Sequence, residues 1–226
     1  SPKNVFNVLT KLKENISIHC RRYYALAALS RRKELSDELR TKSFNNLFKF
    51  RSIIENYVFN CLIKFGKKSD VLELAASKSF FGNSAKQGVS IRYPLSTCVP
   101  TNNCSGRCYG HDGRDREINH IFRGVLNGYL GFCYEESVAS ARKNILSLLR
   151  KSIVIATDNS QLDQLNARNK GFNRNARIRF SHIGEMVTTP NFTNALASEI
   201  KSINNNDIIF VRKKEENAFK ISLRSF

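Results

Sequence analysis

Three cysteines sit close together in "TCVPTNNCSGRCYGHDGR", residues 97–114, with the spacing C-x5-C-x3-C: Cys98, Cys104 and Cys108. Thiolates are soft ligands that suit zinc and iron–sulfur clusters. The residues between them are Pro, Asn, Ser and Gly, which let a chain wrap tightly and turn its N–H groups inward. Arg107 and Arg114 are near enough in sequence to favour the thiolate form. Two metal readings stay open. With zinc, His111 or Cys133 would complete a tetrahedral set. In the iron–sulfur reading the three cysteines hold three irons of a 4Fe-4S cluster, leaving the fourth to bind a cofactor. His111 and Asp112 also suit a supporting role behind the ligands. A disulfide knot fits less well, because "SPKNVFNVLTKLKENI" lacks the apolar core of a secretory signal and cytosolic thiols stay reduced. Cys20 and Cys61 lie in apolar helical runs and read as buried thiols.

The elements that must position this loop follow from apolar spacing. Leu35, Leu39, Leu47, Phe50, Ile54, Val58 and Leu62 recur at three- and four-residue steps, with one wide step after Leu39, and predict a helix capped near Ser36 and stopped at Gly66. A second helix is expected after Ser69 or Asp70, through "VLELAASKSFF". "VSIRYPL" is a short strand, and the cysteine loop follows it directly. "REINHIFRGVLNGYLGF" and "EESVASARKNILSLLRK" read as helices, the first weakened by Gly124 and Gly128. "SIVIAT" reads as a strand or a buried helix end. "ARIRFSHIG" is a strand with Ile178, Phe180 and His182 on one face. A helix starts at Pro190 with Thr189 as its cap, and "IIFVRK" is a last strand. Strand, loop, helices, strand, helix, strand is an alternation that predicts α/β architecture. The expected organisation is a basic, mainly helical region over 1–88 and an α/β metal-binding domain over 89–226.

The charge points to a partner. The 226 residues hold 37 Lys and Arg against 19 Asp and Glu, a net charge of +18. Such a surplus repels itself unless a polyanion takes it up, so DNA or RNA is the expected partner. Arg21, Arg22, Arg31, Arg32 and Lys33 cluster in the helical region, with Arg51 further on and Tyr23 and Tyr24 beside the first pair. Arg177 and Arg179 lie on the "RIRF" strand. No apolar run reaches the ~20 residues of a membrane span. A cytoplasmic protein is therefore expected.

A three-cysteine loop after a strand, then a strand ending in Gly184-Glu185, resembles the radical S-adenosylmethionine enzymes. The resemblance implies a 4Fe-4S cluster on Cys98, Cys104 and Cys108, with Gly184 and Glu185 at the amino group of S-adenosylmethionine. It also implies a partial (β/α) barrel-like core. The loop here is longer than that family's C-x3-C-x2-C, Tyr109 follows the last cysteine, and one glycine precedes the glutamate. A nearer likeness is to the phage family called gene product eighty-eight proteins, carried by "CVPTNNCSGRCYGHDGR" and "RFSHIGEM" and covering roughly residues 89–212. That likeness implies a phage protein working in the host cytoplasm.

Overall fold

The computed structural model describes residues 2–30, 32, 34–77, 80–84, 88–98, 108–111, 117–156, 177–204, 207–213 and 218–223. Two long helices come first, α1 (Pro2–Leu29) and α2 (Asp37–Phe65), then a short α3 (Lys68–Ala75). α2 starts where its sequence says it should: the Ser36 side chain accepts the Leu39 N–H, and Gly66 ends the helix. Leu47, Ile54, Val58 and Leu62 are buried, while Leu39 is exposed. α3 begins after Lys67 and stops at Ala75, short of the expected end.

Phe81 and the residues after it form β1 (Phe81–Ser84), antiparallel to β2 (Gly88–Arg92) with Phe81 opposite Ile91. Sequence analysis placed a helix end and a break here, because "FGNS" has the composition of a turn. After the loop come α4 (Ile118–Glu135) and α5 (Ala139–Ala156), and "SIVIA" is the buried end of α5. β3 (Arg177–Ile183) runs parallel to β2 and buries Ile178 and Phe180. α6 (Pro190–Asn204) leads to β4 (Asp207–Lys213), parallel to β3, and β5 (Ala218–Leu223) pairs antiparallel with β4.

The expected partial (β/α) barrel-like core is not what the chain builds. Most described residues are helical, and the strands form a small open sheet in the order β1-β2-β3-β4-β5. A barrel needs a last strand that returns to pair with the first. Here the strand order follows the sequence, and an antiparallel strand ends the sheet on each side. Helices carry the packing instead. α4 touches β2, α2, α3, α5 and α6, and one hydrophobic cluster joins Leu12, Tyr23 and Leu62 to Ile91, Leu130 and Phe192. That cluster runs across position 88/89.

Gly124, Gly128 and Gly131 make this central position of α4 possible. A Cβ at Gly128 would lie 2.6 Å from Pro94 Cγ, and one at Gly131 would lie 1.8 Å from the Tyr93 hydroxyl. The glycines that lower helix propensity are those that let α4 sit directly against the end of β2. Asn127, fully buried between them, donates to the carbonyls of Phe80 (3.1 Å) and Arg92 (2.8 Å) and ties α4 to β1 and β2. Among the described residues, no helix is long and apolar enough to cross a membrane.

Candidate metal-loop scaffold

The cysteine loop leaves the sheet through Tyr93, Pro94 and a single 3-10 turn, Leu95–Thr97, and Cys98 follows half-buried. A 3-10 turn presents unpaired N–H groups at its start. Glu55 of α2 accepts both: Leu95 N–H at 2.9 Å on Oε1 and Ser96 N–H at 2.7 Å on Oε2. One turn back along α2, Arg51 donates from Nε to Glu55 Oε1 at 2.6 Å. Both side chains are buried, Arg51 at 2% and Glu55 at 1% relative exposure. Burial works against the Arg51 charge, but Glu55 and Tyr23 outweigh it and raise its pKa above the usual arginine range.

The other end of the loop rests on the same pair. Arg51 Nη1 reaches the Tyr23 hydroxyl at 3.5 Å, and that hydroxyl is 2.5 Å from Nδ1 of His111. Arg51 has only protons to offer, so the Tyr23 oxygen accepts from it and its own proton points at Nδ1. His111 closes the 3-10 turn Tyr109–His111, directly after Cys108, and Phe44 packs edge-on against its ring at 5.5 Å. Cys108 is half-buried and near enough to Tyr23 to affect its ionisation. Arg51 and Glu55 are therefore a two-ended clamp: Glu55 holds the chain entering the loop, and Arg51 through Tyr23 holds the chain leaving it. The two points are four residues apart on one helix, about 6 Å of rise.

The end of β3 meets the same turn. Glu185 N–H donates to Thr97 Oγ1 at 2.7 Å, and Thr97 in turn donates to the Pro94 carbonyl at 2.7 Å. Gly184 has φ +74°, and a Cβ there would stand 2.3 Å from the Pro94 oxygen. Gly184 and Glu185 thus lie against the 93–97 turn that leads into Cys98, and Glu185 is buried.

The remaining candidates divide clearly. Cys104, Arg31, Lys33 and Asp112 lie outside the described residues, as do the side chains of Arg177, Arg179 and His182. Among the described residues, no group of three or more His, Cys, Asp or Glu converges as a metal site. Cys133 is in the core of α4 beside Tyr129, and burial pushes its thiol up, away from the thiolate a metal needs. Cys20 and Cys61 are buried, as their apolar surroundings require. Arg21, Arg22 and Arg32 are exposed. Arg51 and Tyr23 are not part of that basic face: they are interior, joined to each other and to the loop.

Sequence reasoning missed Arg51, Glu55 and Tyr23 as site residues. The signal was present for the arginine. Arg51 lies four residues after Leu47 and three before Ile54, in phase with the apolar stripe of α2. A charge in that phase with a partner of opposite sign four residues on marks a buried pair.

The network makes stability depend on pH at the alkaline end. Burial, opposed in part by Arg51, pushes the Tyr23 phenol up to about 12. A neutral phenol favoured by the fold contributes stability that is complete below its unfolded pKa near 10. That stability is lost as pH climbs from 10 through 12. Tyr23→Phe should flatten this part of the stability–pH curve, and denaturant melts at pH 9, 10.5 and 11.5 read it. An unchanged slope would remove Tyr23 from the account.

Comparison with protein-family models, with curated proteins and with solved structures finds no match for this chain.

Proposed function

We propose that this chain is a metal-cluster protein of the phage type its motifs resemble, holding its metal on Cys98, Cys104 and Cys108 and binding nucleic acid. The observation that carries the metal reading is the Arg51–Glu55 clamp. A buried ion pair is an expensive way to stabilise a fold. Here its hydrogen bonds go to the two ends of one cysteine-bearing loop, which is the work of holding ligands in register. Soft thiolates on a loop between two fixed ends fit a 4Fe-4S cluster, with zinc as the competing occupant. Such a cluster supplies one-electron chemistry when bound, and with S-adenosylmethionine it supplies radical generation. Glu185, a buried carboxylate against the same turn, is the group on this chain that would receive an ammonium. The nucleic-acid part rests on the +18 charge and on Arg21, Arg22 and Arg32 at the surface.

Anaerobic purification with metal analysis and a visible spectrum tests the metal. Brown protein with iron and sulfide supports the cluster, one zinc per chain supports the alternative, and metal-free protein overturns both. Serine at 98, 104 or 108 should each cut bound metal at least tenfold, as expected when a thiolate ligand is lost. Cys133→Ser should leave metal per folded chain unchanged. Binding to DNA or RNA should weaken steeply as salt rises, and no binding at low salt would remove the nucleic-acid partner.

A further inference from the structure

A cavity of about 260 Å³ opens beside the clamp, between α2, the 93–97 turn, α4 and the 186–189 turn. Drug-sized pockets run roughly 300–1,000 Å³, so this one has room for a single small ring system. Its wall is aromatic: Phe59 and Phe132 meet edge to face at 5.7 Å, and Phe132 is 42% exposed at the mouth. Its polar groups are different in kind from those of an anion site. Glu55 is the one charged residue among the described residues that line it, and no lysine or arginine does. The exposed Asn56 amide and the half-buried Ser96 hydroxyl make no side-chain hydrogen bond among the described residues.

We infer that this cavity binds a nucleobase that carries an exocyclic amino group. A carboxylate wall repels phosphate, so the charged part of a nucleotide stays outside, where the surface carries the positive surplus. A flat ring stacks on the aromatic wall, which is the usual source of affinity for unpaired bases. Glu55 accepts from an amino group, and an asparagine amide offers both a donor and an acceptor to a base edge. The occupant is thus a base turned out of its strand, seated beside the turn that leads into Cys98. The macromolecular part of this inference rests on the nucleic-acid reading above; the pocket itself does not.

The test separates the two. Free adenosine, cytidine and uridine, which carry no phosphate, are titrated against the purified protein by saturation-transfer NMR. A single-stranded oligonucleotide is then titrated across a salt series. Phe132→Ala and Asn56→Ala are both surface substitutions, with folding checked by thermal melts. Adenosine and cytidine should bind more tightly than uridine, and each variant should weaken them about tenfold, the loss of one stacked or paired base contact. The oligonucleotide should weaken by a similar factor with its salt slope unchanged, since no phosphate contact is touched. Variant-sensitive nucleoside binding without oligonucleotide binding upholds the pocket and removes the nucleic-acid partner. Nucleosides that give no signal, or bind the variants as well as the native protein, overturn the pocket even where the oligonucleotide binds. Equal binding of adenosine and of naphthalene, a ring with no polar edge, also overturns it.

Discussion

Glu55→Ala lowers the unfolding free energy by about 3–5 kcal/mol, the cost of leaving one member of a buried ion pair alone. The loss is larger than for Arg51→Met, and the reason is the loop. Without Glu55, Arg51 keeps a buried charge with no carboxylate, and the N–H groups of Leu95 and Ser96 lose their acceptor as well. Without Arg51, Glu55 still receives both N–H groups. The double replacement Arg51→Met with Glu55→Leu removes both charges and should recover part of the loss, though not the two N–H bonds. Urea melts of the three variants give the order directly. If Arg51→Met costs as much as Glu55→Ala, the contacts to the 95–96 turn contribute nothing and the clamp is only an ion pair. On the metal reading, Glu55→Ala also lowers metal retention in the fraction that folds, because the chain entering Cys98 is no longer fixed.

The contrast between what could and could not be read in the chain follows from how far each signal reaches. Ser36, Gly66 and Pro190 mark helix ends through interactions within a few residues of themselves, and each was legible. Thr189 shows the limit of that reasoning. It precedes Pro190 as a cap should, but its hydroxyl bonds the Tyr93 hydroxyl at 2.8 Å. Glu135 of α4 serves the start of α6 instead, accepting Phe192 N–H at 2.9 Å and the Asn191 side chain at 2.7 Å. β1 was missed because what makes "FGNS" a strand is its neighbour β2, not its own composition. Arg51 and Tyr23 were read as surface groups because a charge or a phenol on a helix is solvated in most chains. Their true setting depends on His111, 88 residues from Tyr23. The loop was legible as a place for chemistry. The polar scaffold that fixes its two ends was not, since every one of those contacts crosses between elements far apart in sequence.

Gly184→Ala should be the most damaging single methyl in the protein, with a loss of about 2–5 kcal/mol. Two independent costs act there. A left-handed φ of +74° costs a residue with a Cβ roughly 1–2 kcal/mol. The added Cβ would also stand 2.3 Å from the Pro94 oxygen and 2.7 Å from the Tyr93 carbonyl, and backbone atoms cannot turn aside as a side-chain tip can. Overpacking of that kind typically costs a further 1–3 kcal/mol. The two are separable. Asparagine tolerates the left-handed region better than alanine, so Gly184→Asn relieves the first cost and keeps the second. If Asn restores most of the stability, the conformation alone demands glycine. If Asn and Ala are equally damaging, close approach of β3 to the 93–94 turn is the reason. We expect the second, because the Glu185 N–H to Thr97 bond that follows Gly184 holds the two segments together at that distance. Thermal melts of both variants decide it. Whatever Gly184 does for a bound cofactor, the residue is first required so that the strand carrying Glu185 can lie against the turn that leads into Cys98.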